Sequence, residues 1–223
     1  YGRRQGLAGL DMTVETGEIY GVLGPNGAGK TTTIRILLDV IRATTGRAEV
    51  LGLDPATNSV AVRRNVGYLP GDFVVDGRQT SRQLLDHLSA LRGGVAKQRI
   101  DGLAERLGLD LSLQIRSLSK GNRQKLGLLQ SFMHEPELLI LDEPFSALDP
   151  LTRAAIHREF LALRQMESRS TLLVTHDMRE AVTLADHIVV LKSGRVVQEG
   201  TVEEVCETPA DDYVRALLGA SAP

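Results

Sequence analysis

The residues of this sequence best placed to do chemistry form one uninterrupted run, Gly24-Pro25-Asn26-Gly27-Ala28-Gly29-Lys30-Thr31. They match G-x-x-x-x-G-K-[ST], follow the apolar run Ile19–Leu23 and open a helix-like stretch, Thr31–Val40. Glycines let consecutive backbone N–H groups converge on phosphate oxygens, and the start of a helix adds partial positive charge. Lys30 neutralises the outer phosphates, the Thr31 hydroxyl is a ligand for Mg²⁺, and Thr32 follows in the same helical turn. An accidental Gly-rich turn is the competing reading. A shuffled chain of this composition would show the pattern roughly once in two hundred trials, before strand and helix context is required, so accident is set aside.

A second constellation is the apolar run Leu138-Leu139-Ile140-Leu141 ending in Asp142 and Glu143. A strand-end pair of acids is common and usually just solvated. Downstream of a phosphate-binding turn it has a use: Asp142 reads as the partner of Mg²⁺, and Glu143 as a general base facing an attacking water.

The elements that must position these groups alternate. Ile19–Leu23, Val66–Leu69, Leu138–Asp142, Thr171–Thr175 and His187–Leu191 read as buried strands, separated by helix-length amphipathic stretches. Lys192-Ser193-Gly194 between two apolar runs predicts a hairpin. The fold class expected is α/β, a mixed sheet flanked by helices. Between Thr80 and His134 the pattern is helical only, with Leu84, Leu88 and Leu91, then Ile100, Leu103 and Leu107, at helical spacing. These leucines are expected to pack a core rather than line a groove. The organisation expected is one domain over 1–223, with a core of 1–70 and 138–223 and a helical subdomain inserted at 71–137.

Composition bounds the function. Hydrophobic residues make up 42% and charged residues 24% of 223, a globular balance. A net charge of −2 gives no support to nucleic-acid binding. No apolar run approaches the roughly 18 residues of a membrane span. The single cysteine, Cys206, cannot form an internal disulfide, and no signal-peptide pattern is visible, so a reducing cytoplasm is the expected compartment. His87, His134 and His157 lie on predicted helices without partners at ligand spacing and read as ordinary side chains.

Four further segments resemble the ATP-binding subunits of ATP-binding cassette (ABC) transporters. Leu118-Ser119-Lys120-Gly121-Asn122 resembles the family signature, Ser146-Ala147-Leu148-Asp149 its D-loop, and His176 its switch histidine. Tyr1 lies where the family stacks an aromatic ring on adenine. Val66-Gly67-Tyr68-Leu69-Pro70-Gly71-Asp72 resembles the Q-loop region, except that Gly71 stands where a Gln or an acid is usual. The resemblance therefore supplies no Mg²⁺ ligand from this loop.

The resemblance implies a P-loop NTPase core that binds ATP and Mg²⁺ and works at the cytoplasmic face of the membrane on separate integral membrane permease subunits. It implies pairing, as a homodimer or two nucleotide-binding subunits, with Ser119 and Gly121 of one chain reaching the γ-phosphate on the other. The segments EIYGVLGPNGAGKTTTIRIL, VGYLPGDF and LSKGNRQKLGLL are similar to drug exporter subunits, whereas LLVTHDMREAVTLADHIVVLKSGRVVQEGTVEEV is similar to osmoprotectant importers. Export is the expectation, import the alternative. A soluble ABC-type ATPase acting on DNA would need a long coiled coil between Lys30 and Leu118, and no sustained heptads occur there. A plain phosphate-loop kinase would leave Ser119, Gly121 and His176 unexplained.

Overall fold

A computed structural model describes residues 6–146, 148–166 and 169–219. The chain runs β1 (Ile19–Leu23), α1 (Lys30–Leu37), α2 (Ser59–Asn65), β2 (Val66–Leu69), α3 (Ser81–Leu91) and α4 (Lys97–Arg106). A 3-10 turn (Ile115–Ser117) precedes α5 (Lys120–Phe132), β3 (Leu138–Asp142) and α6 (Pro150–Met166). Then come β4 (Ser170–Thr175), α7 (Met178–Leu184), β5 (His187–Lys192), β6 (Arg195–Thr201), α8 (Val202–Glu207) and α9 (Asp212–Gly219). The chain divides into two compact units, Tyr1–Arg63 with Arg169–Pro223, and Arg64–Ser168.

In the first unit the strands lie in the order β4, β1, β5, β6. β1 is parallel to both neighbours, with Leu23 opposite Thr175 on β4 and Val190 on β5. All five residues of β1 are buried, as expected of a parallel strand covered on both faces, which is why it reads as an unbroken apolar run. β5 and β6 form the predicted hairpin. Ser193 and Gly194 sit at φ +51° and +78°, the pair of positive φ values that a tight turn between twisted strands needs. Beneath this sheet Leu23, Ile188 and Val190 pack with Met178 and Ala181 of α7, Val205 of α8 and Val214 of α9. Each such aliphatic side chain taken from water contributes about 1.5–3 kcal/mol, which holds the strand ends that carry the site.

In the second unit β2 and β3 pair in parallel, with Leu69 opposite Leu141. The helix-only expectation between Thr80 and His134 holds: α3, α4, the 3-10 turn and α5 fill that stretch. We keep 71–137 as the proposed helical subdomain within this unit. α3 starts on a capping box, in which the Thr80 hydroxyl accepts from Gln83 N–H while the Gln83 side chain accepts from Thr80 N–H. The expected Leu84, Leu88, Leu91 face needs correcting. The buried residues of α3 are Ser81, Leu84, Leu85 and Ser89, and Leu91 is 71% exposed. At 100° per residue Leu91 lies about 90° round the helix from the centre of that face. Ile100, Leu103 and Leu107 are buried as expected. The histidines are ordinary: His134 Nε2 lies 3.2 Å from the Val66 carbonyl, and His157 packs against Phe145.

Candidate nucleotide site

In the first unit, β1 delivers the chain to a turn whose concave side is lined by backbone. Gly24, Ala28, Gly29 and Lys30 are buried, while Pro25, Asn26 and Gly27 are exposed at its rim. Gly29 caps α1 in a left-handed conformation, φ +113°, and makes no side-chain cap bond. It must be glycine on two counts, since a Cβ there would also fall 2.5 Å from Leu7 Cδ2 and 3.0 Å from the Gly6 carbonyl. Without a capping side chain or an acidic residue in the first turn, the positive end of α1 is left for an anion to satisfy.

Lys30 is only 6% exposed, and its ammonium donates to the carbonyls of Gly24 at 2.5 Å and Pro25 at 3.3 Å. The cation is thus held inside the turn, at the place where phosphate oxygens would replace those carbonyls. The Thr33 hydroxyl donates to the Gly29 carbonyl at 3.2 Å, whereas Thr31 is exposed and Thr32 half-buried at the start of the helix.

His176 leaves β4 at the same end at which Gly24 leaves β1, each following one of the paired residues Thr175 and Leu23. It is exposed. Its turn is fixed by a residue that sequence reading missed. Thr175, fully buried, donates to Glu180 Oε2 at 2.8 Å and accepts from Asp177 N–H at 3.0 Å. Asp177 then caps α7 through Arg179 N–H at 2.9 Å. A Thr before a His and an acid five residues later were the only sequence signals available.

The acidic pair belongs to the second unit. Asp142, the last residue of β3, is 9% exposed, and Glu143 is half-buried. Because β2 and β3 are parallel, the loop after β2 passes the Asp142 carboxylate. A Cβ on Gly71 would sit 3.5 Å from the Asp142 carbonyl oxygen and 3.6 Å from its Oδ2. The signature segment forms the start of α5, where the Ser119 hydroxyl oxygen accepts from Asn122 N–H at 3.1 Å. A Cβ on Gly121 would lie 3.3 Å from Leu148 Cδ2, so this glycine abuts the D-loop leucine of its own chain. Asp149 caps α6, and hydrogen bonds from Thr152 hold its carboxyl below the usual carboxylate range. Tyr1 and Ala147 lie outside the described residues.

The donor set suits Mg²⁺. The groups on offer are the Thr31 hydroxyl and the Asp142 carboxylate, hard oxygen donors, and among the described residues no group of three His, Cys, Asp or Glu side chains forms a metal cage. Mg²⁺ is typically held by one or two such groups together with substrate phosphates and waters.

A family model described as ABC transporter matches residues 7–146. The chain belongs to the ABC transporter family. This cassette is 40% identical over 228 residues to the daunorubicin resistance ATP-binding protein DrrA3 of Streptomyces coeruleorubidus, an alignment covering 98% of the chain and 70% of that protein. It is 33% identical over 225 residues to the glycine betaine/carnitine/choline transport ATP-binding protein OpuCA of Bacillus subtilis, covering 98% of the chain but only 59% of that protein. The chain thus spans little more than half the length of some relatives. A solved structure described as the ATP binding subunit of an ABC transporter superposes with a TM-score of 0.84 at 28% identity, over 98% of this chain and 95% of the other. The expected α/β fold and family are borne out. No helix among the described residues is long and apolar enough to cross a membrane.

Proposed function

We propose that this cassette hydrolyses ATP and that the hydrolysis powers transport through separate integral membrane permease subunits, at the cytoplasmic face of the membrane. The observation that supports it best is the turn before α1, with its uncapped helix start and its enclosed Lys30 ammonium. In this reading the N–H groups of the turn from Gly24 to Thr32 bind the phosphates, and Lys30 neutralises charge developing on the γ-phosphate. Thr31 and Asp142 would hold Mg²⁺, which when bound bridges phosphate oxygens and offsets their charge. Glu143 takes the proton of the attacking water, and His176 orients the γ-phosphate. Tyr1 stacks on adenine. Ser119 and Gly121 act on the nucleotide of a second nucleotide-binding subunit, so two chains make two complete sites.

Export is the direction we favour. The relative at 40% identity is named for daunorubicin resistance, and the stretches from Glu18 to Leu37 and from Leu118 to Leu129 are exporter-like. Import is the second reading, favoured by the 33% identity to OpuCA and by the segment from Leu172 to Val205.

The test of the ATPase reading is phosphate release by the purified chain with Mg²⁺ and ATP. Turnover that Lys30→Ala abolishes is expected. No release at any protein concentration, or release unchanged in Lys30→Ala, would overturn it. Direction is tested by the neighbouring genes: a permease without a binding protein agrees with export, and an adjoining binding-protein gene contradicts it.

A further inference from the structure

Glu143 stands at φ +49°, in the left-handed region that side chains rarely adopt. The local sequence does not ask for this. Pro144 follows, and its ring disfavours right-handed helical backbone at the preceding residue, which leaves extended backbone as the ordinary choice. Extended backbone at Glu143 would continue the alternation of β3 and send its side chain to the face opposite Asp142. The positive φ breaks that alternation.

A strained residue of this kind persists only where its surroundings over-determine it. Two grips do so here. The Ser146 backbone N–H donates to the Glu143 carbonyl at 3.3 Å, and the Ser146 hydroxyl donates to the same oxygen at 3.1 Å. Between them Phe145 is fully buried, its ring edge-on to His157 at 4.4 Å and to Phe160 at 6.2 Å between centroids. Both partners lie on α6, so the turn is anchored to a helix while Ser146 draws the Glu143 carbonyl inward.

We propose that Ser146 is a positioning residue for Glu143: its doubled hydrogen bond to the Glu143 carbonyl holds the left-handed backbone and, through it, the aim of the Glu143 carboxylate. This rests on the reading of Glu143 as the base.

The backbone half is tested without turnover, by thermal unfolding of Glu143→Gly and Glu143→Ala in nucleotide-free protein. Glycine is at ease at positive φ and alanine is not, so Glu143→Gly should melt roughly 2–4 °C above Glu143→Ala. An equal or lower melting point for the glycine variant would show that no strain is held there and would overturn the proposal.

The catalytic half is tested by Ser146→Ala, which removes the hydroxyl bond and keeps the N–H bond. The expected result is a kcat lowered about three- to tenfold, the loss of one hydrogen bond, with KM for ATP within about twofold of wild type. Ser146→Thr, which restores a hydroxyl, should recover most of the rate. In a Glu143→Gln background, Ser146→Ala should slow the residual turnover no further and leave ATP-dependent pairing intact. An equal loss in both backgrounds, a raised KM with kcat intact, or weakened pairing would contradict the proposal by placing the role of Ser146 elsewhere. Wild-type turnover by Glu143→Gln would instead sink the base reading beneath it, a result distinct from any of these.

Discussion

Replacing Gly24 by alanine should damage the phosphate turn far more than the same change at Gly27, although both belong to one motif. A Cβ on Gly24 would sit 2.4 Å from the Leu191 carbonyl oxygen, 3.0 Å from Ala28 Cβ and 3.2 Å from the Leu191 carbonyl carbon. Two of these three atoms are backbone of β5, and Leu191 is itself paired with Val196 in the hairpin, so neither strand can yield cheaply. Overpacking of this kind costs about 1–3 kcal/mol, and a backbone collision belongs at the upper end. At Gly27 a Cβ would meet nothing within 4 Å, and only φ +80° opposes a side chain. That strain costs about 1 kcal/mol. For a domain of this size roughly 2–4 °C of melting temperature accompanies each kcal/mol, so Gly24→Ala should melt about 6–12 °C low and Gly27→Ala about 2–4 °C low. Nucleotide affinity, read by titration calorimetry, should follow the same order, because the Gly24 carbonyl is also the acceptor that holds Lys30. Equal melting points for the two variants, or the larger loss at Gly27, would refute the steric argument.

Gly71→Gln should fold normally, because Gly71 is not in the left-handed region and a Cβ there makes only ordinary contact with Asp142 at 3.5–3.7 Å. The added amide oxygen beside the Asp142 carboxylate should lower the Mg²⁺ concentration for half-maximal ATPase; an unchanged requirement in a folded variant would show that another group already fills the place. ATPase rate per chain should rise with protein concentration if Ser119 and Gly121 serve a partner's nucleotide, and a rate strictly proportional to enzyme from nanomolar to micromolar would contradict shared sites. Asp149, whose carboxyl is held below the usual 3.8 by the bonds from Thr152, favours the folded state when ionised. That contribution is present above about pH 4 and fades as pH falls through the lowered value, so the melting-point advantage of wild type over Asp149→Asn should shrink on acidification, and an advantage that grows would reverse the sign.

What was legible in the sequence follows from what the strands do. β1, β3 and β5 are buried runs whose apolar character is unbroken, and their ends carry Gly24, Asp142 and Lys192-Ser193-Gly194, so strand and turn chemistry announce one another. Long-range matters were not legible. That Leu85 and Ser89 rather than Leu91 complete the buried face of α3 depends on the rotation of that helix against its neighbours. The grip of Thr175 on Glu180 and Asp177, the approach of Gly71 to Asp142 and the left-handed Glu143 are set by tertiary packing that no spacing encodes. Gly24 looks like every glycine of its motif. Its particular constraint comes from a carbonyl of β5, more than 160 residues away in the chain.

The most direct test of the account is Glu143→Gln examined by sedimentation and by phosphate release in the same preparation. The carboxamide keeps the shape of the side chain but cannot accept a proton, and a general base contributes about 10²–10⁴-fold to rate. The account predicts turnover lowered by that factor, unchanged ATP affinity, and accumulation of an ATP-bound dimer in the presence of Mg²⁺. Turnover near wild type, or a variant that remains monomeric with ATP and Mg²⁺, would contradict it.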